Sequence, residues 1–533
     1  MKSKDFFSAL LLISFVLPFC NQPERNSSVD AAARDTSISK SNSISKLFLD
    51  SSTIESFFKA ESIHDSLAKR MRDFYRQRNY QYAWIYEDGL ADYATGFVRY
   101  QDDYINYSGD SVLYHPALAL LVDSIAAEDI TKFPASTIQR AELSLTAQFF
   151  RYVYRAYQGR NSLNSRELEW YIPRKRVDLA AALDSVVSNK GRNAQRYEPV
   201  NRQYSLLRNE LIKYHSIKDE FDSIVINYSK KSYKEGESNP DLNKIKRKLF
   251  LVGDLPNSDT SNLFTPELKK AVISYQARQG LDTNGIINSA VLNQLKKPIK
   301  QRIDQMLVNL ERIKWVPVQP ESDYILVNIP EFRLHAYEKG NYKWSMNVVV
   351  GTTVHTTVIF AGTLKNVVFA PYWNVTPSII KNEILPAMKR DKNYLERHRM
   401  EWNGGNIRQK PGPGNSLGQV KFLFPNSYNI YLHDTPAKDL FGESKRAFSH
   451  GCVRLAEPRK LAEWILRNDA NWTPDKIKTA MNSTRERFVA VREDTPVFIG
   501  YFTSWVDRNG KLNFREDIYG HDKKMAERLF TRQ

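Results

Sequence analysis

The sequence predicts a multi-domain chain: a mainly-α amino-terminal region, a small three-helix unit, and a mainly-β carboxy-terminal part interrupted by one long insertion. Three observations carry that prediction. A chain of 533 residues is too long for a single core, and about three or four domains are expected at that length. Apolar side chains recur at three- and four-residue steps as far as Trp315, the repeat that gives a helix one apolar stripe. Beyond it come short apolar and aromatic runs bounded by proline and glycine, which is how strands read.

Residues 1–20 have the make-up of an export signal: Lys2 and Lys4 lie near the start, and Phe6 to Phe19 is an apolar run too short for a transmembrane helix. Cys20 ends that run where a bacterial lipoprotein carries its lipid attachment. Phe19 and Pro18 depart from the small residues such signals prefer, so simple cleavage and an uncleaved anchor stay open. Residues 21–46, rich in Ser, Asn, Asp and Lys, read as a disordered tether.

From 47 to 239 the pattern is helical. Ile54, Phe57 and Phe58, then Leu67, Met71 and Phe74, then Leu145, Phe149, Phe150, Val153 and Tyr154 lie at helical steps, the last run stopping at Gly159. Trp84, Trp170, Tyr171 and Leu179 to Leu183 are expected on further helices. Residues 241–297 predict three helices: one after Asp241, one opened by Thr265-Pro266-Glu267, and one capped by Ser289, with a Gly280-to-Gly285 turn between the last two. A linking helix, 299–315, carries Ile303, Met306, Leu307, Leu310 and Ile313 on one side. Strands follow through 323–500, broken at 371–418 by a segment holding Trp373, Tyr394, Trp402, Gly404-Gly405 and Pro411-Gly412-Pro413-Gly414. Residues 501–533 form a carboxy-terminal extension.

The formal charge of +17 and a pI near 9.4 call for anionic partners. Behind an export signal these are envelope polymers or lipid headgroups rather than nucleic acid, and the scattered basic residues also fit a plain solvated surface. Neither Cys-x-x-Cys nor His-Glu-x-x-His occurs, nor a Walker-type loop, so no metal or other cofactor is implied. The chain has two cysteines. With Cys20 lipidated or removed, Cys452 has no disulfide partner and stands out as a reactive thiol.

Cys452 lies in Ser449-His450-Gly451-Cys452-Val453-Arg454, nineteen residues after His433. A thiol attacks as thiolate, so it needs a base or a positive field, and His433, His450 and Arg454 offer both. Gly451 leaves room for close backbone approach, and the N–H groups of Gly451 and Cys452 are candidate oxyanion donors. The string Tyr431-Leu432-His433-Asp434-Thr435-Pro436 followed by Ser449 to Arg454 resembles the catalytic signature of the L,D-transpeptidases, the YkuD-type cysteine enzymes of peptidoglycan cross-linking. The resemblance runs from about Asp323 to Phe498 and includes Tyr372-Trp373-Asn374-Val375, Asn382-Glu383-Ile384-Leu385-Pro386, Pro411-Gly412-Pro413 and Leu417 to Phe422, which are similar to the large multi-domain branch.

That resemblance implies a mainly-α scaffold, a mainly-β catalytic domain at 323–500 and a capping loop at 371–418. The helix, turn and Asn-Gly order of 241–297 resembles a peptidoglycan-binding type 1 domain. The implied catalytic residues are Cys452 as nucleophile and His433 as proton donor and acceptor, with His450, Gly451, Arg454 and Ser449 shaping the site; Tyr431, Trp373 and Tyr372 are assigned to substrate. The implied substrates are stem peptides, a tetrapeptide donor attacked at its third residue with loss of D-Ala and the side-chain amine of a neighbouring third residue as acceptor. Carbapenem-type lactams are the implied inhibitors, and the periplasm, with membrane attachment through Cys20, is the implied location. Water in place of the amine makes a carboxypeptidase; a silent site makes a wall-binding adaptor. His335, His355 and His398 read as ordinary surface or packing residues.

Overall fold

The computed structural model describes residues 33–160, 163–192, 200–227, 229–317 and 322–530. The expected export signal, with Cys20, and the first part of the expected tether lie outside the described residues. The later part of that tether is tied down instead: Ser45 is fully buried, its hydroxyl donates to the Ile85 carbonyl, and the Asn79 amide donates to the Ile38 carbonyl.

Helices Ser51–Ala60, Asp65–Gln77, Asp92–Ser108, Pro116–Ala127, Ala135–Val153, Leu179–Ser188 and Arg202–Ser223 make up the amino-terminal region. Asp50 caps the first through the Thr53 N–H, and Gly159, at φ +88, ends the π-turn that prolongs the fifth. Three aromatics expected on helices are not there. Trp84 precedes a two-stranded ribbon, β1 (Ile85–Tyr86) with β2 (Gly89–Leu90), and Trp170 and Tyr171 form β3, which joins the carboxy-terminal sheet. An isolated aromatic carries no period, and Trp170 finds its partner in Trp315, edge-on at 5.7 Å.

Pro240–Leu251, Pro266–Arg278 and Ser289–Lys296 form the three-helix unit. Their N-caps are Asn239, Thr265 and Asn288; the cap expected at Ser289 moves one residue back, because the Asn288 carboxamide accepts from both Ala290 and Val291. This unit and the amino-terminal helices share one continuous apolar core. The linking helix Ile299–Trp315 is buried around most of its circumference rather than on one side, with Arg302, Asn309, Glu311, Arg312 and Lys314 all inside. Lys314 pairs with Glu311 at 2.9 Å and Arg312 with Asp522 at 2.5 Å, so its polar face is matched where it is covered.

The carboxy-terminal part is a closed barrel. Before the insertion its strands are β4 (Tyr324–Asn328), β5 (Arg333–Glu338), β6 (Asn341–Gly351) and β7 (Ile359–Phe369). Within the insertion β8 (Trp373–Asn374), β9 (Met400–Asn403) and β10 (Asn406–Gln409) make a separate three-stranded sheet. β11 (Val420–Leu423), β12 (Leu432–His433), β13 (Ala447–Ser449), β14 (Val453–Leu455) and β15 (Arg487–Gly500) follow. The order is β11-β12-β14-β6-β5-β4-β15-β7, and β7 pairs back onto β11 to close it. The interior is apolar: Ile325, Val327, Leu334, Val348, Val367, Phe422, Leu432, Val453, Val497 and Ile499 are fully buried.

The insertion is a small subdomain with its own core of Val375, Ile384, Met400 and Ile407. Gly404 and Gly405, at φ +56 and +85, form the two-residue turn of the β9–β10 hairpin. Asn415, buried, clamps the base by donating to the carbonyls of Pro371 and Lys410. Residues 501–530 are no loose extension: β16 (Ser504–Val506) pairs with β17 (Leu512–Phe514), Val506 and Phe514 enter the helical core, and helix His521–Leu529 packs on the barrel core.

Candidate active site

β12 and β14 run parallel, with Leu432 beside Val453 and His433 beside Arg454, and the Val453 N–H donates to the Tyr431 carbonyl. Alternation along each strand sorts the side chains. Leu432, Val453 and Leu455 point into the barrel core, so Tyr431, His433, Cys452 and Arg454 share its outer face. Their contacts agree: the Tyr431 ring meets the His433 ring at 5.6 Å, and the Tyr431 hydroxyl lies close enough to the Cys452 sulfur for each to shift the other's titration. The thiol points to the Asn429 carbonyl at 3.6 Å.

The His433 Nδ1 lies 2.5 Å from the Asp434 carbonyl, a geometry that needs the proton on Nδ1 and leaves Nε2 as the free base. Burial, and then the Arg454 charge, push the imidazole down to about 3, so it is neutral at physiological pH. Burial pushes the Cys452 thiol up to about 11; Tyr431 and Arg454 pull the other way by less. Of the two routes the sequence left open, a base that takes the thiol proton and a positive field that holds a thiolate, these directions favour the first. Desolvation outweighs the neighbouring charges, and the resting pair is thiol and neutral imidazole.

Ser449 and Gly451 build the turn that presents Cys452. The Ser449 hydroxyl donates to the Cys452 carbonyl at 2.5 Å and accepts the Gly451 N–H at 3.1 Å. Gly451, at φ +112, holds a conformation closed to other residues. Its carbonyl accepts from the Thr357 hydroxyl at 2.8 Å, and Thr357 in turn accepts the Gly351 N–H at 2.9 Å. With the Gly451 N–H spent on Ser449, it is not an oxyanion donor. The Cys452 N–H, which has no partner among the described residues, is the one left. The half-buried Arg454 guanidinium has no hydrogen-bond acceptor or ion-pair partner among the described residues and is free to meet an anion.

His450 reaches toward the insertion. Its Nε2 lies 2.9 Å from the Glu383 carboxylate in the insertion, and its ring stacks on His355 at 4.8 Å. His355, expected to be ordinary, thus backs the ring that meets the insertion. His335 pairs with Glu331, and His398 packs on Tyr394. Tyr372 lies under the Arg408 guanidinium at 4.1 Å, and Trp373 packs on the insertion core. Both sit at the root of the insertion, whereas Tyr431 touches the thiol. Residues that sequence reasoning missed are Lys421, across from His433 in β11, and Asn429, Thr357, Glu383 and Tyr519, whose hydroxyl donates to the Gly351 carbonyl at 2.6 Å. Only Lys421 left a readable signal, its alternation with Val420 and Phe422. Among the described residues no group of His, Cys, Asp or Glu could hold a metal ion, and no helix is long and apolar enough to cross a membrane.

Comparison with known families agrees with this geometry. Residues 322–499 match the family model YkuD, described as the L,D-transpeptidase catalytic domain; residues 69–211 match a scaffold domain and residues 238–295 a "Putative peptidoglycan binding domain". A Haemophilus influenzae protein named "Putative L,D-transpeptidase" is 35% identical over 241 residues, 42% of this chain and 48% of that protein. The chain thus spans about half the length of the curated relative it matches. Among solved structures, L,D-transpeptidase 3 from Mycobacterium tuberculosis is 13% identical over 34% of this chain and 61% of its own, TM-score 0.20. The L,D-transpeptidase from Xylanimonas cellulosilytica is 12% identical over 51% of this chain and 98% of its own, TM-score 0.18. Scores that low leave the fold to the topology given above. The match to the L,D-transpeptidase catalytic domain model thus covers the whole barrel with its insertion, and the scaffold and peptidoglycan-binding matches lie ahead of it in the chain.

Proposed function

We propose that this protein is an L,D-transpeptidase that joins third residues of peptidoglycan stem peptides through a thioester on Cys452. The observation that supports this most is the common outer face of Tyr431, His433, Cys452 and Arg454 on two parallel strands, with the imidazole proton fixed on Nδ1. In the proposed sequence the sulfur attacks the carbonyl of the third residue as His433 Nε2 takes the thiol proton. The Cys452 N–H stabilises the oxyanion. The C–N bond to D-Ala breaks, and His433 returns the proton to the leaving amine. The acceptor amine then attacks the thioester, His433 takes its proton, and the thiol is regenerated. Arg454 offers a fork for a substrate carboxylate, and Ser449, Gly451 and Thr357 hold the turn. The insertion, touching His450 through Glu383, keeps water from the thioester. Residues 1–20 are the ground for placing the enzyme in the periplasm, membrane-attached where Cys20 is lipidated.

The test is mass spectrometry of products after incubating the full chain with disaccharide-tetrapeptide. We expect a cross-linked dimer and free D-Ala, both absent with Cys452→Ala. Tripeptide without dimer would move the reaction to carboxypeptidation, and unchanged substrate would leave a wall-binding protein. A carbapenem, whose strained lactam stands in for the donor carbonyl, is expected to add its mass to Cys452.

A further inference from the structure

A cavity of about 410 Å³ lies on the outer face of β4, β5 and β15, roofed by the β16–β17 hairpin. That size is typical of small-ligand sites, which sit preferentially at domain interfaces; here Asn201 and Gln203 of the amino-terminal region complete the wall. Tyr324 and Tyr337 stack at 4.4 Å along it, and Tyr342 meets Tyr337 edge-on at 6.0 Å. Arg333, Arg508 and Arg515 reach the same wall, and none is ion-paired among the described residues.

The acids nearby are already engaged. Glu331 accepts from the His335 ring at 2.9 Å and the Asn328 amide at 3.2 Å, while Asp507 accepts the N–H groups of Asn509 and Lys511 and the Asn513 amide. Both carboxylates also line the cavity and offset part of its charge, which leaves three guanidiniums against two acids; after burial, Arg333 and Arg515 push the neighbouring Arg446 down to about 10, against the pull of Glu331. The walls are preformed, since Gln203 holds both the carbonyl and the N–H of Val506, at 2.9 and 3.2 Å. Ser504, fully buried, also lines the cavity, its hydroxyl without a hydrogen-bond partner among the described residues.

We propose that this cavity is a second, non-catalytic site for a carboxylate-bearing saccharide, its sugar against the tyrosine rings and its acid on the guanidiniums. The chemical class rests on the cavity; that the saccharide is a wall glycopeptide rests on the function proposed above. In the strand order β5, β4 and β15 lie nearly opposite β12 and β14 around the barrel, so only a repeating polymer can reach both sites at once. A repeating polymer held at the cavity raises the local concentration of its other stems at Cys452.

Hydrogen exchange on full-length Cys452→Ala protein tests this with three probes: disaccharide-tetrapeptide, the neutral disaccharide of N-acetylglucosamine, and free tetrapeptide. We expect the first to slow exchange in 324–345 and 504–515, the other two to need about tenfold higher concentration or more, and Arg508→Ala with Tyr342→Ala to weaken the effect about tenfold while leaving 431–454 and thermal stability unchanged. Arg508→Ala alone, an exposed change, is the fallback should the pair unfold. No slowing in 324–345 at saturation overturns the proposal, as does equal slowing by either partial probe. If wild-type protein makes no cross-link yet 324–345 is protected, the transpeptidase reading falls and the binding site stands.

Discussion

In the barrel, the Cys452 turn is fixed by a closed ring of strands below it and by the hydroxyls of Ser449, Thr357 and Tyr519 around it. In the insertion, four side chains form the buried core, the strands are two to four residues long, and the contact with the turn is one exposed pair, Glu383 with His450. The difference teaches where accuracy is needed. On the function proposed above, Cys452 has to be held to fractions of an ångström, whereas the insertion has to open, and moving elements come from the low-stability end of a structure.

The largest expected break in that contrast is Ile407→Ala, which removes a fully buried side chain from the small core. A loss of about 2–4 kcal/mol approaches all the local stability such a core can supply. Amide exchange across 373–409 should rise at least about tenfold while the barrel strands stay protected; a matching rise in the barrel would show that the two regions unfold as one. Next is Thr357→Val, which strands the Gly351 N–H and the Gly451 carbonyl at a cost of about 1–3 kcal/mol. Steady-state kinetics should show kcat down about tenfold with KM nearly unchanged, and an equal rise in KM would argue against a role in holding the turn.

The pH dependence of Cys452 alkylation sharpens the comparison on the barrel side. With the thiol pushed up to about 11 by burial, the iodoacetamide rate should climb through pH 9 and beyond; a plateau near pH 7 would reveal a resting thiolate. The smallest effect belongs to Glu383→Gln. An exposed pair contributes about 0–1 kcal/mol, so kcat/KM should change by less than about fivefold and 1 M salt should mimic the substitution. A hundredfold loss would make Glu383 part of the machinery.

Much of this architecture is legible in the residues. The helical runs, the proline-opened helices of the small unit and the strand-like runs after Trp315 appear where local pattern puts them, because each is written in side chains three, four or two positions apart. The miscast residues lack such a pattern. Trp170 and Tyr171 pair with Ile359 and Phe360, nearly two hundred residues on, and the buried polar face of the linking helix reads as a solvated one until Thr503 and Asp522 cover it.

For the site, the sequence by itself singled out Cys452, the histidine nineteen residues before it and the glycine that its turn requires, since residue type and short spacing suffice for those. Tertiary structure alone decided their protonation, the donor left for an oxyanion and the partner of His450. Burial depends on which distant strands close over a group, and a hydrogen bond already spent on Ser449 is invisible in a string of letters.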